Sequence, residues 1–167
     1  MCTRHAIDKY TYKSCYILVP QSLARLLVHL IFSTKARAPA LADEALRQDL
    51  HAYLAATARE LGCPAIRVGG VADHVHVVCC LARFLSVATL VAKLKVSSSQ
   101  MLRARAEPPF QWQQGYGAFS VSESALANVI EYVAHQDLHH RRLSFQDEYR
   151  TFLRRHGVEF DKRYVWD

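Results

Sequence analysis

The sequence predicts an α+β fold, a ferredoxin-like (RRM-like) antiparallel sheet with helices on one face and a further C-terminal helix. Three observations lead there. The elements run strand, helix, strand, strand, helix, strand, then two helices, and the first six are those of a split β-α-β unit. Leu26 to Ser33 is apolar on both faces, as a central strand must be. The 167 residues are 51% hydrophobic and 22% charged, enough for one domain with a sizeable core.

Residues 1–18 are polar and aperiodic and are expected to form a non-core N-terminal extension, with the domain proper spanning 19–167. Val19 is an expected alternative start, because a GUG codon reads as valine internally and as a start codon in bacteria. The central strand 26–33 ends in the basic loop Thr34-Lys35-Ala36-Arg37-Ala38-Pro39. Leu41, Leu46, Leu50, Tyr53, Leu54 and Leu61 recur at helical spacing over 41–61, and Gly62 and Pro64 stop that helix. Residues 66–71 and 74–81 read as an antiparallel hairpin. Ser86 caps a helix over 87–105, apolar at Val87, Leu90, Val91, Leu94 and Leu102. Ala118 to Val121 is a short strand. Ser122 caps a helix over 123–141, with Leu126, Val129, Ile130 and Val133 as its apolar face, and a last helix runs from Ser144 to Arg155 and ends at Gly157.

Charge and cysteine content narrow the function classes. Lys and Arg number 21 against 15 acids, a net charge of +6, with a pI near 9.2. That excess favours an anionic partner, nucleic acid first. Five cysteines without a Cys-x-x-Cys spacing are neither a disulfide framework nor a zinc knuckle. They suit a reducing cytoplasm, and no apolar run approaches the ~18 residues of a membrane span.

The chemistry centres on Asp73-His74-Val75-His76. Side chains two apart on a strand share a face, so His74 and His76 project together and Val75 and Val77 project from the other side. Two adjacent imidazoles can supply two ligands to one divalent metal, although a His-x-His pair is commonly ordinary sheet surface. A second element raises its significance. Tyr132 and Gln136 lie four apart on a helix and share its face. Gln offers a hard carbonyl oxygen, and a tyrosine beside a metal is a candidate nucleophile. Its pKa of ~10 makes the phenol weak at neutral pH, which a divalent ion and rigid positioning can offset. The plain alternative for Tyr132 is a ring packed on the sheet.

Over residues 19–167 the chain resembles the one-tyrosine HUH transposases of small bacterial insertion sequences, the TnpA type acting on single-stranded DNA, with their REP-associated tyrosine transposase relatives. The resemblance is carried by Val28-His29-Leu30-Ile31-Phe32-Ser33-Thr34-Lys35, Asp73-His74-Val75-His76, Trp112 to Ser122, Tyr132 to His140 and Ser144-Phe145-Gln146-Asp147-Glu148. It implies that His74 and His76 are metal ligands, with Gln136 as the third. It implies that Tyr132, on the catalytic helix, attacks the scissile phosphate and forms a 5′-phosphotyrosine, and that the released 3′-hydroxyl later rejoins strands without ATP. Mg²⁺ or Mn²⁺ is the implied cofactor. The implied partners are single-stranded DNA with hairpins at the element ends and a second copy of the chain, in a homodimer with active sites shared between subunits.

Lys35, Arg37, Lys93, Lys95, Arg103 and Arg105 are the candidate phosphate contacts, and Trp112 or Tyr116 the candidate base-stacking ring. His29 is expected to be structural, with nothing pairing it to the other two histidines. His135, His139 and His140 are read as a solvated or phosphate-facing helix surface. A cytoplasmic bacterial protein, on the nucleoid when bound to DNA, fits these features. Two competing readings remain: a domesticated REP-associated nuclease, and a non-catalytic nucleic-acid-binding module on the same fold.

Overall fold

A computed structural model describes residues 23–103, 105, 110–136 and 144–161. The extension 1–18 and the histidines at 139 and 140 lie outside the described residues. Four strands, β1 (Leu26–Ser33), β2 (Ala65–Val71), β3 (His74–Leu81) and β4 (Gly117–Val121), form one antiparallel sheet in the order β2-β3-β1-β4. This is the ferredoxin-like arrangement. β1 is central, as its two apolar faces require.

Two helices, α1 (Glu44–Glu60) and α2 (Val87–Arg103), cover one face. Asp43 caps α1 by accepting from the Leu46 backbone N–H, so this helix starts three residues later than the apolar spacing alone suggests. Leu50, Leu54, Leu90 and Leu94 pack onto Leu30, Phe32, Val75, Val77 and Cys79 in the main core. Burying such a side chain stabilises by about 1.5–3 kcal/mol.

The other face carries a smaller, more aromatic layer. Ser122 caps a 3₁₀ turn, Glu123–Ala125, that leads into α3 (Leu126–Ala134). α3 is therefore shorter than the predicted 123–141, and residues 137–143 lie outside the described residues. Ser144 caps α4 (Phe145–Arg155) by accepting from the Asp147 N–H. Phe145, Tyr149 and Leu153 of α4 pack on Ile31 and Phe119.

Two glycines let these helices approach the sheet. A Cβ at Gly69 would lie 2.3 Å from the Val133 carbonyl oxygen, and one at Gly117 would lie 2.7 Å from the Tyr149 ring. No real contact is that short, so both positions need hydrogen where other residues carry a side chain. No described helix is long and apolar enough to cross a membrane.

Candidate active site and metal centre

Pairing puts His76 between Ile31 of β1 and Gly69 of β2, and His74 between Ser33 and Val71. Both imidazoles therefore rise from the middle of the sheet on the face covered by α3 and α4, while Val75 and Val77 join the main core. Both rings are fully buried, with centroids 5.0 Å apart.

α3 brings Tyr132 over them. Its ring centroid lies 5.6 Å from that of His76 and 6.1 Å from that of His29. Gln136, just past the helix end, is 2% exposed. Its side-chain oxygen is 3.5 Å from His74 Nε2, and its amide nitrogen donates to the Tyr132 carbonyl at 3.3 Å. The four residues singled out from sequence thus meet within one chain.

Glu148 is the group that sequence reasoning missed. It is buried on α4, and among the described residues its carboxylate forms a group with His74 and His76 whose ligand atoms lie within 4.8 Å of one another. Two imidazoles and one carboxylate, with the Gln136 oxygen beside them, are a donor set suited to a divalent ion. The signal was present in the chain: Phe145, Glu148, Tyr149, Phe152 and Leu153 share helical spacing, so an acid sits in an apolar stripe. His29 also departs from its expected isolation, because its Nε2 lies 2.9 Å from His76 Nδ1. His74 Nδ1 lies 2.7 Å from Asp73 Oδ1.

Burial and charge set the protonation states. Burial, with the nearby His156 charge, lowers the His29 pKa to about 4, so this imidazole is neutral. Burial raises Asp73, but hydrogen bonds and charge from His74 and Arg37 outweigh it and hold the carboxyl at about 2. Burial pushes the Tyr132 phenol upward, and the charge of Glu148 and a hydrogen bond to it push the same way, against a smaller opposing hydrogen bond with Gln136. A phenol so placed needs positive charge nearby before it can act as a nucleophile.

The model of a protein family described as IS200-like transposases matches residues 22–136, more than half of the chain and including both histidines, Tyr132 and Gln136. The chain belongs to the IS200-like transposase family. Glu148 lies beyond the matched span. No curated protein matches the sequence. Among solved structures, a candidate transposase of Deinococcus radiodurans is 24% identical, with a TM-score of 0.55 over 69% of this chain and 93% of that one. A REP-associated tyrosine transposase bound to a REP hairpin is 10% identical, with a TM-score of 0.55 over 73% of each chain. At these identities the likeness carries the fold.

The candidate DNA contacts of this transposase-family chain divide by environment. Lys35, Lys95 and Arg103 line a cavity of about 740 Å³, with Gln100, Gln111 and Gln114. Lys35 donates to Gln111 Oε1 at 3.0 Å. Lys93 is exposed on α2 and Tyr116 is 39% exposed. Lys95, Arg105 and Arg37 have intramolecular partners too. Lys95 donates to the carbonyls of Gln113, Gln114 and Gly115 at 2.7, 3.2 and 2.7 Å, and burial lowers its pKa to about 8. Arg105 pairs with Asp49 at 2.6 Å. Arg37 donates to Asp73. Trp112 packs edge-on against Phe32 and Phe110, donates to Ser98 Oγ at 2.9 Å, and forms part of the cavity wall.

Proposed function

We propose that this chain is a metal-dependent transposase that cleaves and rejoins single-stranded DNA at hairpin-marked element ends through a 5′-phosphotyrosine intermediate. The observation that carries the reading is the convergence of Tyr132, Gln136 and Glu148 on the His74–His76 pair. Tyr132 Oη attacks the scissile phosphorus, a new P–O bond forms to the phenol, and the P–O3′ bond breaks. The phenol proton passes to Glu148, the carboxylate hydrogen-bonded to it, and the departing 3′ oxygen takes a proton from water and leaves as a hydroxyl. Rejoining reverses the exchange with a 3′-hydroxyl as nucleophile, so no external energy source is required.

His74 and His76 would hold Mg²⁺ or Mn²⁺, with Gln136 and Glu148 as oxygen donors. An ion held there polarises the phosphodiester and offsets the charge that develops on it. Lys35, Lys93 and Arg103 are the phosphate contacts that this reading keeps, with Tyr116 as the stacking ring. We take the chain to act as a homodimer whose two sheets join edge to edge. Because α3 already carries Tyr132 to the imidazoles of its own chain, we take the phenol to act in cis.

The test is incubation with Mn²⁺ and a labelled hairpin oligonucleotide, followed by denaturing electrophoresis. A covalent adduct is expected, and Tyr132→Phe should abolish it while leaving DNA binding within about twofold. An adduct that survives the substitution would move the nucleophile elsewhere. A second reading, a domesticated REP-associated nuclease, is favoured by the hairpin-bound structural neighbour. Subterminal hairpins flanking the gene would identify a mobile element, and cleavage of dispersed palindromes the domesticated form.

A further inference from the structure

We propose that His29 and the Arg37–Asp73 pair are positioning residues, which hold the two ligand imidazoles by their Nδ1 atoms so that both Nε2 atoms meet one ion. The inference rests on the reading of His74 and His76 as metal ligands.

An imidazole that offers Nε2 to a metal carries its proton on Nδ1, and that proton needs an acceptor to fix the tautomer and the ring's aim. Each ring has one. His74 Nδ1 meets Asp73 Oδ1 at 2.7 Å, and His76 Nδ1 meets His29 Nε2 at 2.9 Å. Both rings are fully buried, so bulk water is not positioned to take the place of either holder. The two holders come from different places. His29 projects from β1, two residues before the Ile31 that pairs with His76, whereas Asp73 lies in the turn between β2 and β3.

Asp73 is itself held. Its second oxygen accepts from Arg37 Nε and Nη2 at 3.0 and 2.5 Å, which leaves Oδ1 for His74. The Arg37 guanidinium lies 4.9 Å from the centre of the Phe145 ring, and the same ring lies 4.2 Å from His74. Arg37 reaches this place from a backbone that L residues seldom adopt, with φ 52 at Ala36 and 55 at Arg37. The loop is tied to the turn by Thr34, whose N–H donates to the Asp73 carbonyl at 2.9 Å while its hydroxyl donates to the Ala38 carbonyl at 2.7 Å. Arg37 is thereby assigned to the metal centre and not to the DNA backbone.

The experiment is Mn²⁺ titration of the DNA-free protein, followed by electron paramagnetic resonance, with thermal melting as the check on folding. Asp73→Ala and His29→Leu are expected to weaken Mn²⁺ binding by about ten- to a hundredfold. Asp73→Asn and His29→Gln, which keep an oxygen able to accept from Nδ1–H, should restore most of it. Arg37→Met should weaken Mn²⁺ binding but leave the salt dependence of DNA binding unchanged. Mn²⁺ binding at wild-type strength in folded Asp73→Ala and His29→Leu would overturn the assignment and leave the proposed function standing. An Arg37→Met variant with normal Mn²⁺ affinity and a salt slope lower by about one would return Arg37 to the phosphate contacts and overturn its part. A wild-type protein that takes up no Mn²⁺ would overturn the metal reading itself.

Discussion

His29 shows at the scale of one residue how burial turns into pH dependence. Its pKa falls from 6.5 in the open chain to about 4 in the fold, first through burial and then through the His156 charge. The unfolded chain takes up the proton first. Its contribution to stability is therefore full above pH 6.5 and is lost as the pH falls toward 4. A shift of this size corresponds to about 3 kcal/mol. Denaturant titrations of the metal-free protein at pH 7 and pH 4 are expected to differ by that amount more in wild type than in His29→Leu. Equal pH dependence in the two would mean that the imidazole does not titrate as its burial requires. Single residues were also where the sequence was hardest to read. His74, His76, Tyr132 and Gln136 announce themselves by spacing of two on a strand and four on a helix. His29 does not, because its partnership with His76 depends on which strand pairs with which and in what register. Glu148 depends on where a distant helix docks, although its position in an apolar stripe gave a cue.

Elements bring those residues together, and α3 shows how. It reaches the sheet because Gly69 presents no side chain beneath the Val133 carbonyl. Gly69→Ala is expected to lift α3, cost about 1–3 kcal/mol of stability through overpacking, and reduce adduct formation more than DNA binding. Comparison of single-turnover cleavage with binding affinity checks this, and an unchanged cleavage rate would show that the depth of α3 does not govern the phenol. The order of the elements was legible from the sequence because short continuous apolar runs such as Leu26 to Ser33 give way to stretches with a period of 3.6, with turn and cap residues between them. The start of α1 was less so: apolar residues from Leu41 onward continue the helical spacing, but the Asp43 cap begins the helix at Glu44. Composition did not reveal the intramolecular partners of Lys95 and Trp112. Carbonyls of residues 113–115 accept from the Lys95 ammonium and Trp112 packs mostly into the core, while both line the cavity that Lys35 and Arg103 share.

At the scale of the whole molecule, the sites are expected to be self-contained. Mixing a Tyr132→Phe chain with a chain lacking His74 and His76 should give no adduct if each phenol serves its own imidazoles, whereas recovered activity would mean that subunits exchange α3. The sheet also acts as a partition. The larger core lies between the sheet and α1 and α2, whereas α3 and α4 rest on the opposite face through a smaller, more aromatic layer. Removal of that outer layer would leave the scaffold's packing in place, so the reactive side can loosen at less cost than global unfolding. Amide exchange should follow this division, with α3 losing protection well before β1 and β3. A strand of DNA would then reach the buried imidazoles by a small shift of that layer, one that keeps Tyr132 and Glu148 within reach, while the body that aims the imidazoles keeps its shape.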